Sequence, residues 1–450
     1  MAVEDDPSPT GEPPSPPGEP AGVVRRAPFA DNPRVGAVGR RAQQRILDAA
    51  LQVFAEVGYH RCGISKITKV AGCSRAAFYQ YFSSKEDVFR HLAGQVARQV
   101  TASAEALDPI TPDQPGWDSL RDWVDRYAAI YHRYEPVFRV FQAAAESDEA
   151  VASGAARARS HGVAIAQDKL RSSTLPARHT SDVVALLLNL LAWTPRLADQ
   201  LGAALPEGSL PPERVAGALT DIAHRTLFGR CDGLNVRAAP KRALPRVQGG
   251  AELLQRLAAG SAPKEAPAVA APKLQRLVVA ARQVLVEQGY HGTRVDDITT
   301  AAGVSHGTFY RFFDNKDHVV RLVTLRSMQQ LNEAFTDIPD TEAGAPGPNA
   351  VRQWLRRYKA SQATQAAMLR VWAEATADDP LLALESAAAI DWGRQRLARF
   401  LRPRGFGDVD ADALVMLPLL DAVGGIRNVP ASISAAALVL ERGLLGVSSQ

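Results

Sequence analysis

The sequence predicts an all-α protein built from two similar units. Apolar residues recur at spacings of three and four along most of the chain, as on one face of a helix, and strand signals are few. The stretch 45–92 returns at 276–323, offset by 231 residues and without a gap. Because 20 of these 48 paired positions are identical, the repeat indicates duplication of a whole folding unit.

Each copy of this stretch predicts a helix-turn-helix braced by a preceding helix. In the first copy, apolar spacing predicts helices at 44–57 and 64–70. Gly58 and Gly72 follow these helices, where glycine readily takes a positive φ. Ser74 is placed to cap a third helix by accepting a bond from a free backbone N–H. The second helix of such a pair can enter the major groove of DNA.

The two copies carry the segments AGCSRAAFYQYFSSKEDVF and AGVSHGTFYRFFDNKDHVV. Both resemble the DNA-binding signature of the TetR family of transcriptional regulators: a glycine turn, a serine cap, an aromatic–tyrosine pair, then Phe and Lys at fixed spacing. The resemblance implies two units, each a three-helix head followed by an all-α domain for effector binding and dimerisation. The first copy departs from the pattern at Cys62-Gly63, where the second has Thr293-Arg294. Since Thr293 is able to cap a helix and Cys62 is poorly suited to do so, we expect a looser second helix in the first copy.

Residues at the start of each third helix are the candidates for reading bases. Arginine pairs with guanine, glutamine pairs with adenine, and small residues allow close approach or contact with a thymine methyl. The resemblance adds tyrosine and lysine positions that typically grip phosphates, which set register rather than sequence. For the tyrosines the alternative is packing, and for the lysines an ordinary surface position. The candidate DNA-binding residues are Ser74, Arg75, Ala76, Ala77, Tyr79, Gln80, Lys85, Thr293, Ser305, His306, Gly307, Thr308, Tyr310, Arg311 and Lys316.

Basic charge is concentrated around the repeated stretches. Residues 39–98 contain ten Lys and Arg against four Asp and Glu, and residues 272–326 contain eight against five. The whole chain is only +4, so the remainder is slightly acidic. Basic heads on an acidic body are typical of nucleic-acid-binding proteins, although uneven surface charge is the alternative.

Long helical segments follow each head. In the first unit, helices are predicted over 117–141, with a break near Pro136, and over 150–170, 181–201 and 213–228. Residues 183–193 are apolar nearly all round, which indicates burial or a helix–helix interface. Residues 414–426 are their counterpart in the second unit.

Aromatic stripes in these segments have two interpretations. Trp354 and Tyr358 lie 231 residues after Trp123 and Tyr127, so the duplication extends beyond the heads. The aromatic residues either fill the core or line an apolar cavity between helices. The TetR resemblance implies an effector pocket here, and the few nearby charges favour a small hydrophobic effector. The candidate ligand-binding residues are Tyr131, Phe138, Trp354 and Trp372.

Composition predicts where the domains begin and end. Pro- and Gly-rich segments indicate a disordered tail and a flexible linker with one short helix at 251–259. The predicted domains are the tail at 1–38, the first head at 39–98, the first effector and dimerisation domain at 99–231, the linker at 232–271, the second head at 272–328 and the second effector and dimerisation domain at 329–450.

Several classes of protein are not expected. The sequence has no membrane-spanning apolar run, no signal peptide and no catalytic or cofactor motif, so we expect neither a membrane protein nor an enzyme. Three cysteines without metal-ligand spacing fit a reducing cytoplasm. Redox sensing by Cys62 or Cys73 is the alternative to plain packing.

The sequence as a whole predicts a cytoplasmic transcriptional regulator that binds double-stranded DNA. By resemblance, it is a ligand-responsive repressor, and its two dissimilar heads predict an asymmetric operator. The chain acts either as an intramolecular pseudo-dimer or as a homodimer. The alternative is a small-molecule-binding or partner-binding regulatory protein in which one or both heads no longer read DNA.

Overall fold

The computed structural model is all-α over the residues that it describes. These are 36–206, 209–231, 233–234, 255, 258–260, 262–264, 271–336, 338, 348–362, 368, 371–372, 375, 380–404, 406–424 and 432–447. Nearly all of the expected tail at 1–38 and most of the linker at 232–271 lie outside them. Of the helix predicted at 251–259, only residues 255, 258 and 259 are described. Within the described ranges no strand forms, and no helix is long and apolar enough to cross a membrane.

The described chain divides into two compact units. The smaller unit contains the described residues up to Ala50 and those from Gly63 to Val88. It holds the start of α1 (Ala37–Val57), α2 (Ile64–Ala71), α3 (Arg75–Tyr81) and the start of α4 (Lys85–Glu105). Its interior is apolar and aromatic, with Ile46, Leu47, Ile67, Phe78 and Phe82 buried.

The larger unit contains residues 51–62 and everything described from Phe89 onward. The break predicted near Pro136 is confirmed, because one helix ends at Arg133 and the next has Pro136 in its first turn. The helices of its first half are α5 (Gln114–Arg133), α6 (Glu135–Ser147), α7 (Glu149–Lys169), α8 (Ala177–Ala204) and α9 (Pro212–Phe228).

The second half of this unit repeats the plan. Its head consists of α10 (Ala271–Gly292), broken at Gly289 with φ 70°, α11 (Val295–Ala302), α12 (His306–Phe312) and the start of α13 (Lys316–Thr336). The later elements are α14 (Pro348–Gln362), α15 (Pro380–Leu401), α16 (Val409–Gly424), α17 (Ile433–Leu438) and the π-helical segment Val439–Leu444.

Helices of the two halves pack directly on one another. α8 contacts α15, α16 and α17, and α9 contacts α16 and the π-helical segment. One continuous apolar core runs through both halves. The expectation that the 183–193 stretch and its counterpart are buried between helices is confirmed by Leu186 and Leu190 in α8 and by Leu414 and Leu420 in α16.

Charged side chains also join the two halves. Arg214 of α9 donates two hydrogen bonds to Asp408, from Nε at 2.6 Å and from Nη2 at 2.7 Å. The Nε atom of Arg225 donates to the carbonyl of Gly443 at 2.8 Å. Burial raises the pKa of Asp221 to about 6, although Arg225 and the indole of Trp117 favour its ionised form. A buried carboxylate with a raised pKa therefore lies beside the charged contacts of the two halves.

Two equivalent histidines stack against each other in the larger unit. The rings of His60 and His291 have centroids 4.1 Å apart and an interplanar angle of 26°. These residues are 231 positions apart, which is the offset of the repeat. Equivalent positions of the two copies therefore contact each other.

Candidate nucleic-acid interface and ligand cavity

The turn of the first head has the backbone that its sequence predicts. Gly72 lies in the left-handed region (φ 63°, ψ 38°) and ends α2, and the N–H of Cys73 donates to the carbonyl of Thr68 at 3.0 Å. The Ser74 hydroxyl accepts a hydrogen bond from the N–H of Ala77 at 3.0 Å, so the predicted cap of the third helix is confirmed. This cap fixes the point at which α3 begins.

The short helix α3 separates a buried face from an exposed one. Phe78 is fully buried, and its ring lies 5.5 Å from that of Tyr79, which is 38% exposed. Arg75, Ala76 and Gln80 are exposed, whereas Ala77 is half-buried. Lys85 is half-buried at the start of α4. The residues expected to read bases therefore share the exposed side of one helix.

The second head has the same turn but a different cap. Gly303 is left-handed (φ 62°, ψ 43°), and Ser305 is the N-cap of α12. The Ser305 hydroxyl bonds to the hydroxyl of Thr308 at 2.9 Å instead of a backbone N–H. On α12, His306, Gly307 and Arg311 are exposed, Tyr310 is 44% exposed, and Phe309 is fully buried.

One expectation for the second head is wrong. Thr293 does not cap α11: Arg294 is the N-cap residue, and its N–H donates to the carboxylate of Asp297 at 2.9 Å. Thr293 is buried, and its hydroxyl donates to the carbonyl of Gly289 at 2.7 Å, so the side chain faces the protein instead of a DNA backbone. The expected looseness of the second helix in the first copy stays a prediction: α2 and α11 are both eight residues long, and the N-cap residue of α2, Gly63, has no side-chain cap.

Lys316 is held within the second head. Its ammonium donates to the carbonyl of Tyr290 at 2.6 Å and to that of Thr293 at 3.3 Å, and it lies 3.9 Å from the centroid of the Tyr290 ring. This side chain ties the start of α13 to the loop before α11. A phosphate contact by Lys316 stays a prediction.

A profile of bacterial regulatory proteins of the tetR family matches residues 46–92 and 277–323, which are the two heads described above. Each of the two stretches is similar to the domain that this profile describes. The offset of 231 residues between the two matches shows that the TetR-type head is duplicated in tandem.

Curated relatives resemble limited stretches of the chain. The fatty acid metabolism regulator protein of Bacillus subtilis is 43% identical over 60 residues, covering 12% of this chain and 31% of that protein. The HTH-type transcriptional repressor AcnR of Corynebacterium diphtheriae is 33% identical over 101 residues, covering 22% of this chain and 53% of that protein. The chain thus spans about a third to a half of the length of these relatives.

Two further likenesses are longer and more distant. The HTH-type transcriptional repressor Rv1474c of Mycobacterium tuberculosis is 26% identical over 179 residues, covering 39% of this chain and 88% of that protein. The crystal structure of PfmR, a TetR family transcriptional regulator from Thermus thermophilus, is 24% identical with a TM-score of 0.32, covering 40% of this chain and 97% of that chain.

An apolar cavity of about 50 Å³ lies within the helical body that follows the first head in the chain. Aliphatic side chains of α5, α7, α8 and α9 form its wall, with Val415 contributed by α16 of the second half. Trp123 also lines it, and the buried indole N–H of this residue has no acceptor among the described residues. Sequence reasoning placed Trp123 in the aromatic stripe but did not select it as a ligand-binding residue.

A second cavity of about 30 Å³ shares Val124, Leu191 and Leu219 with the first. His132 and Asp199 line its polar side, with His132 Nδ1 3.7 Å from Asp199 Oδ2. Burial raises the pKa of Asp199, and His132 opposes this effect. The three shared side chains therefore form a wall between an apolar space and one with a titratable pair.

None of the four predicted ligand-binding aromatics lines either cavity. Tyr131 is buried beside the second one and hydrogen-bonds Asp199, and Phe138 packs partly buried against the main core. Trp354 is buried in that same core, 5.9 Å from the ring of Tyr358. Trp372 belongs to the core that the second head shares with its own body. All four side chains pack in apolar surroundings, and a ligand-binding role for them stays a prediction.

Proposed function

We propose that this chain is a transcriptional regulator that binds double-stranded DNA through its two TetR-type heads. The observation that carries the proposal is the pair of short, exposed helices α3 and α12, each starting at a serine N-cap behind a left-handed glycine. Repression is the direction we favour, because the similar proteins AcnR and Rv1474c are named repressors.

The test is selection of bound duplexes from a random pool with the full chain. Enrichment of a defined sequence is expected, with affinity that falls steeply as salt rises through counterion release. Absence of any enrichment, or an affinity that does not depend on salt, would remove the DNA-binding function. A chain denatured and left unfolded serves as the control for nonspecific capture by basic segments.

We further propose that one chain supplies both heads as an intramolecular pair. Support comes from reciprocal contacts, which are the geometric mark of a two-fold interface. α8 packs on α17 as α9 packs on α16, while the equivalent helices α8 and α16 pack on each other. In the same way, the equivalent residues His60 and His291 stack on each other. Burial of this interface within one chain is what an intramolecular pair requires.

The sequences of the two heads then favour an asymmetric operator. The exposed residues Arg75 and Gln80 of α3 stand where α12 has His306 and Arg311. Because the symmetry of an operator mirrors that of the protein, dissimilar reading residues select dissimilar half-sites.

A small apolar effector is the regulatory ligand that we propose for the first half. The cavity of about 50 Å³ exceeds the space of one water but is smaller than the roughly 150 Å³ that holds benzene in other proteins. A larger ligand fits only if the side chains of Val124, Leu191 and Leu219 move aside, so that the two cavities merge. Such a ligand favours the expanded conformation by its difference in affinity for the two states.

Leu191→Ala tests this, because Leu191 is 4% exposed and lines both cavities. The change should lower the thermal midpoint, and benzene should then restore part of the loss by binding the enlarged space. Leu47→Ala, at a buried position of the smaller unit outside both cavity linings, is the matched control and should gain nothing from benzene. Equal responses of the two variants would contradict a cavity at Leu191.

A further inference from the structure

The two heads differ sharply in charge where each helix-turn-helix lies. Residues 61–81 contain four basic and no acidic side chains, which gives +4. The aligned residues 292–312 contain two of each, which gives zero with histidine neutral. The difference arises chiefly in the first helix of each pair, where Ser65 and Lys66 of α2 are replaced by Asp296 and Asp297 of α11.

The two aspartates have different roles. Asp297 accepts the N–H of Arg294 and so caps α11, which gives it a structural role. The Asp296 side chain is 79% exposed, and its Oδ1 lies 3.0 Å from Nε2 of His306. His306 is the first residue of α12, and its ring also lies 5.0 Å from that of Tyr310. One exposed carboxylate therefore holds a candidate base-reading side chain by its outer nitrogen.

The exposed carboxylate of Asp296 weakens contact with DNA in two ways. The first helix of a helix-turn-helix crosses the phosphate backbone, so a carboxylate there repels the phosphates that a neutral serine would tolerate. The nitrogen of His306 bound to Asp296 must leave that partner before it can donate to a base.

We propose that Asp296 makes the second head the weaker DNA-binding head, so that the first head supplies most of the affinity. The operator then has one strongly specified half-site and one loosely specified half-site. This inference rests on the proposed function, DNA binding, and adds which head dominates and which residue decides it.

The test compares reciprocal variants of the full chain on one duplex of about 30 base pairs, long enough for two half-sites. The duplex is selected from a random pool with the wild-type chain, and affinity is measured by fluorescence anisotropy across a range of NaCl concentrations. Asp296→Ser gives the second head the residue of the first, Asp296→Asn removes only the charge, and Ser65→Asp gives the first head the carboxylate.

Both Asp296 variants should bind roughly threefold to tenfold more tightly at low salt, with a steeper dependence of log K on log[NaCl]. Ser65→Asp should weaken binding by at least a similar factor and flatten that dependence. A role of Asp296 confined to folding would change the thermal midpoint without changing the salt slope. Since Asp297 keeps the cap of α11 in both variants, the heads should remain folded.

Three results would overturn the inference: unchanged or weaker binding by both Asp296 variants, no effect of Ser65→Asp, or two equally well-specified half-sites in the wild-type selection. Failure of the proposed function has a different signature, because the wild-type chain would then enrich no duplex at all.

Discussion

Gly443 lies where the π-helical segment packs on α9, and replacing it with alanine should destabilise this contact between the two halves. A Cβ atom at this position would lie 2.3 Å from the hydroxyl of Thr226 and 2.9 Å from the carbonyl oxygen of Ile222. The Thr226 hydroxyl already donates to that carbonyl at 2.6 Å, and Thr226 is fully buried. The π-helical segment and α9 therefore approach as closely as glycine allows.

The cost of Gly443→Ala follows from this geometry. Overpacking a buried contact costs about 1–3 kcal/mol, and a displaced, unpaired buried hydroxyl costs about 1–3 kcal/mol more. Replacing a helical glycine by alanine returns about 0.5–1 kcal/mol. We expect a net loss of about 3 kcal/mol, which lowers the thermal midpoint of a unit of this size by about 3–6 °C.

The assay is thermal unfolding followed by circular dichroism, with Gly154→Ala of α7 as the matched control. A Cβ at Gly154 meets nothing within 4 Å, so this change should leave the midpoint unchanged or raise it. Gly443→Ala with a midpoint at or above that of the wild type would refute the close approach of the two halves. A loss in both variants would attribute the effect to helical glycines in general.

Three further predictions concern titration and DNA reading. Because burial raises the pKa of Asp221 to about 6, its ionisation should reduce stability as the pH rises from about 4 to 6, by on the order of 3 kcal/mol at pH 7. Asp221→Asn should remove that loss in urea unfolding at pH 4.5 and 7, and a difference from wild type that is independent of pH would contradict it. Arg75→Ala should relax base preference by about 1–3 kcal/mol in the strongly specified half-site, as expected for an arginine paired with guanine, and Arg311→Ala should have a smaller effect in the loosely specified one. If selection with the two variants changed the preference at the same bases, two heads with separate half-sites would be excluded. Tyr79→Phe should weaken all duplexes similarly, since a phosphate contact carries no direct sequence information; selective loss on one sequence would argue against that role.

Local signals predicted the heads well. Gly72 and Ser74 specify a turn and a cap within a few residues of chain, and Phe78 and Phe82 one helical turn apart specify the buried face. Such features depend little on the rest of the fold. The acidic replacement at Asp296 was equally visible in the aligned copies, and its contact with His306 required the structure.

Features that depend on distant packing could not be predicted in this way. The pattern around Trp354 and Trp372 is the same for a core and for a ligand pocket, and only tertiary contacts assign both to cores. Thr293 suits a helix cap by residue type, but the chain places Arg294 at that position and turns the Thr293 hydroxyl toward Gly289. The cavity wall is aliphatic and draws Val415 from the other half, which no local stripe indicates.

The measurement that tests the central claim most directly is the stoichiometry of the DNA complex. Sedimentation equilibrium of the full chain, alone and with a duplex selected by the wild-type protein, gives the number of chains per duplex. One chain of 48.3 kDa should bind one duplex through two dissimilar half-sites, and the free protein should remain a single chain on dilution. Two chains on a palindromic duplex, with a free protein of twice this mass that dilution leaves unchanged, would contradict an intramolecular pair of heads.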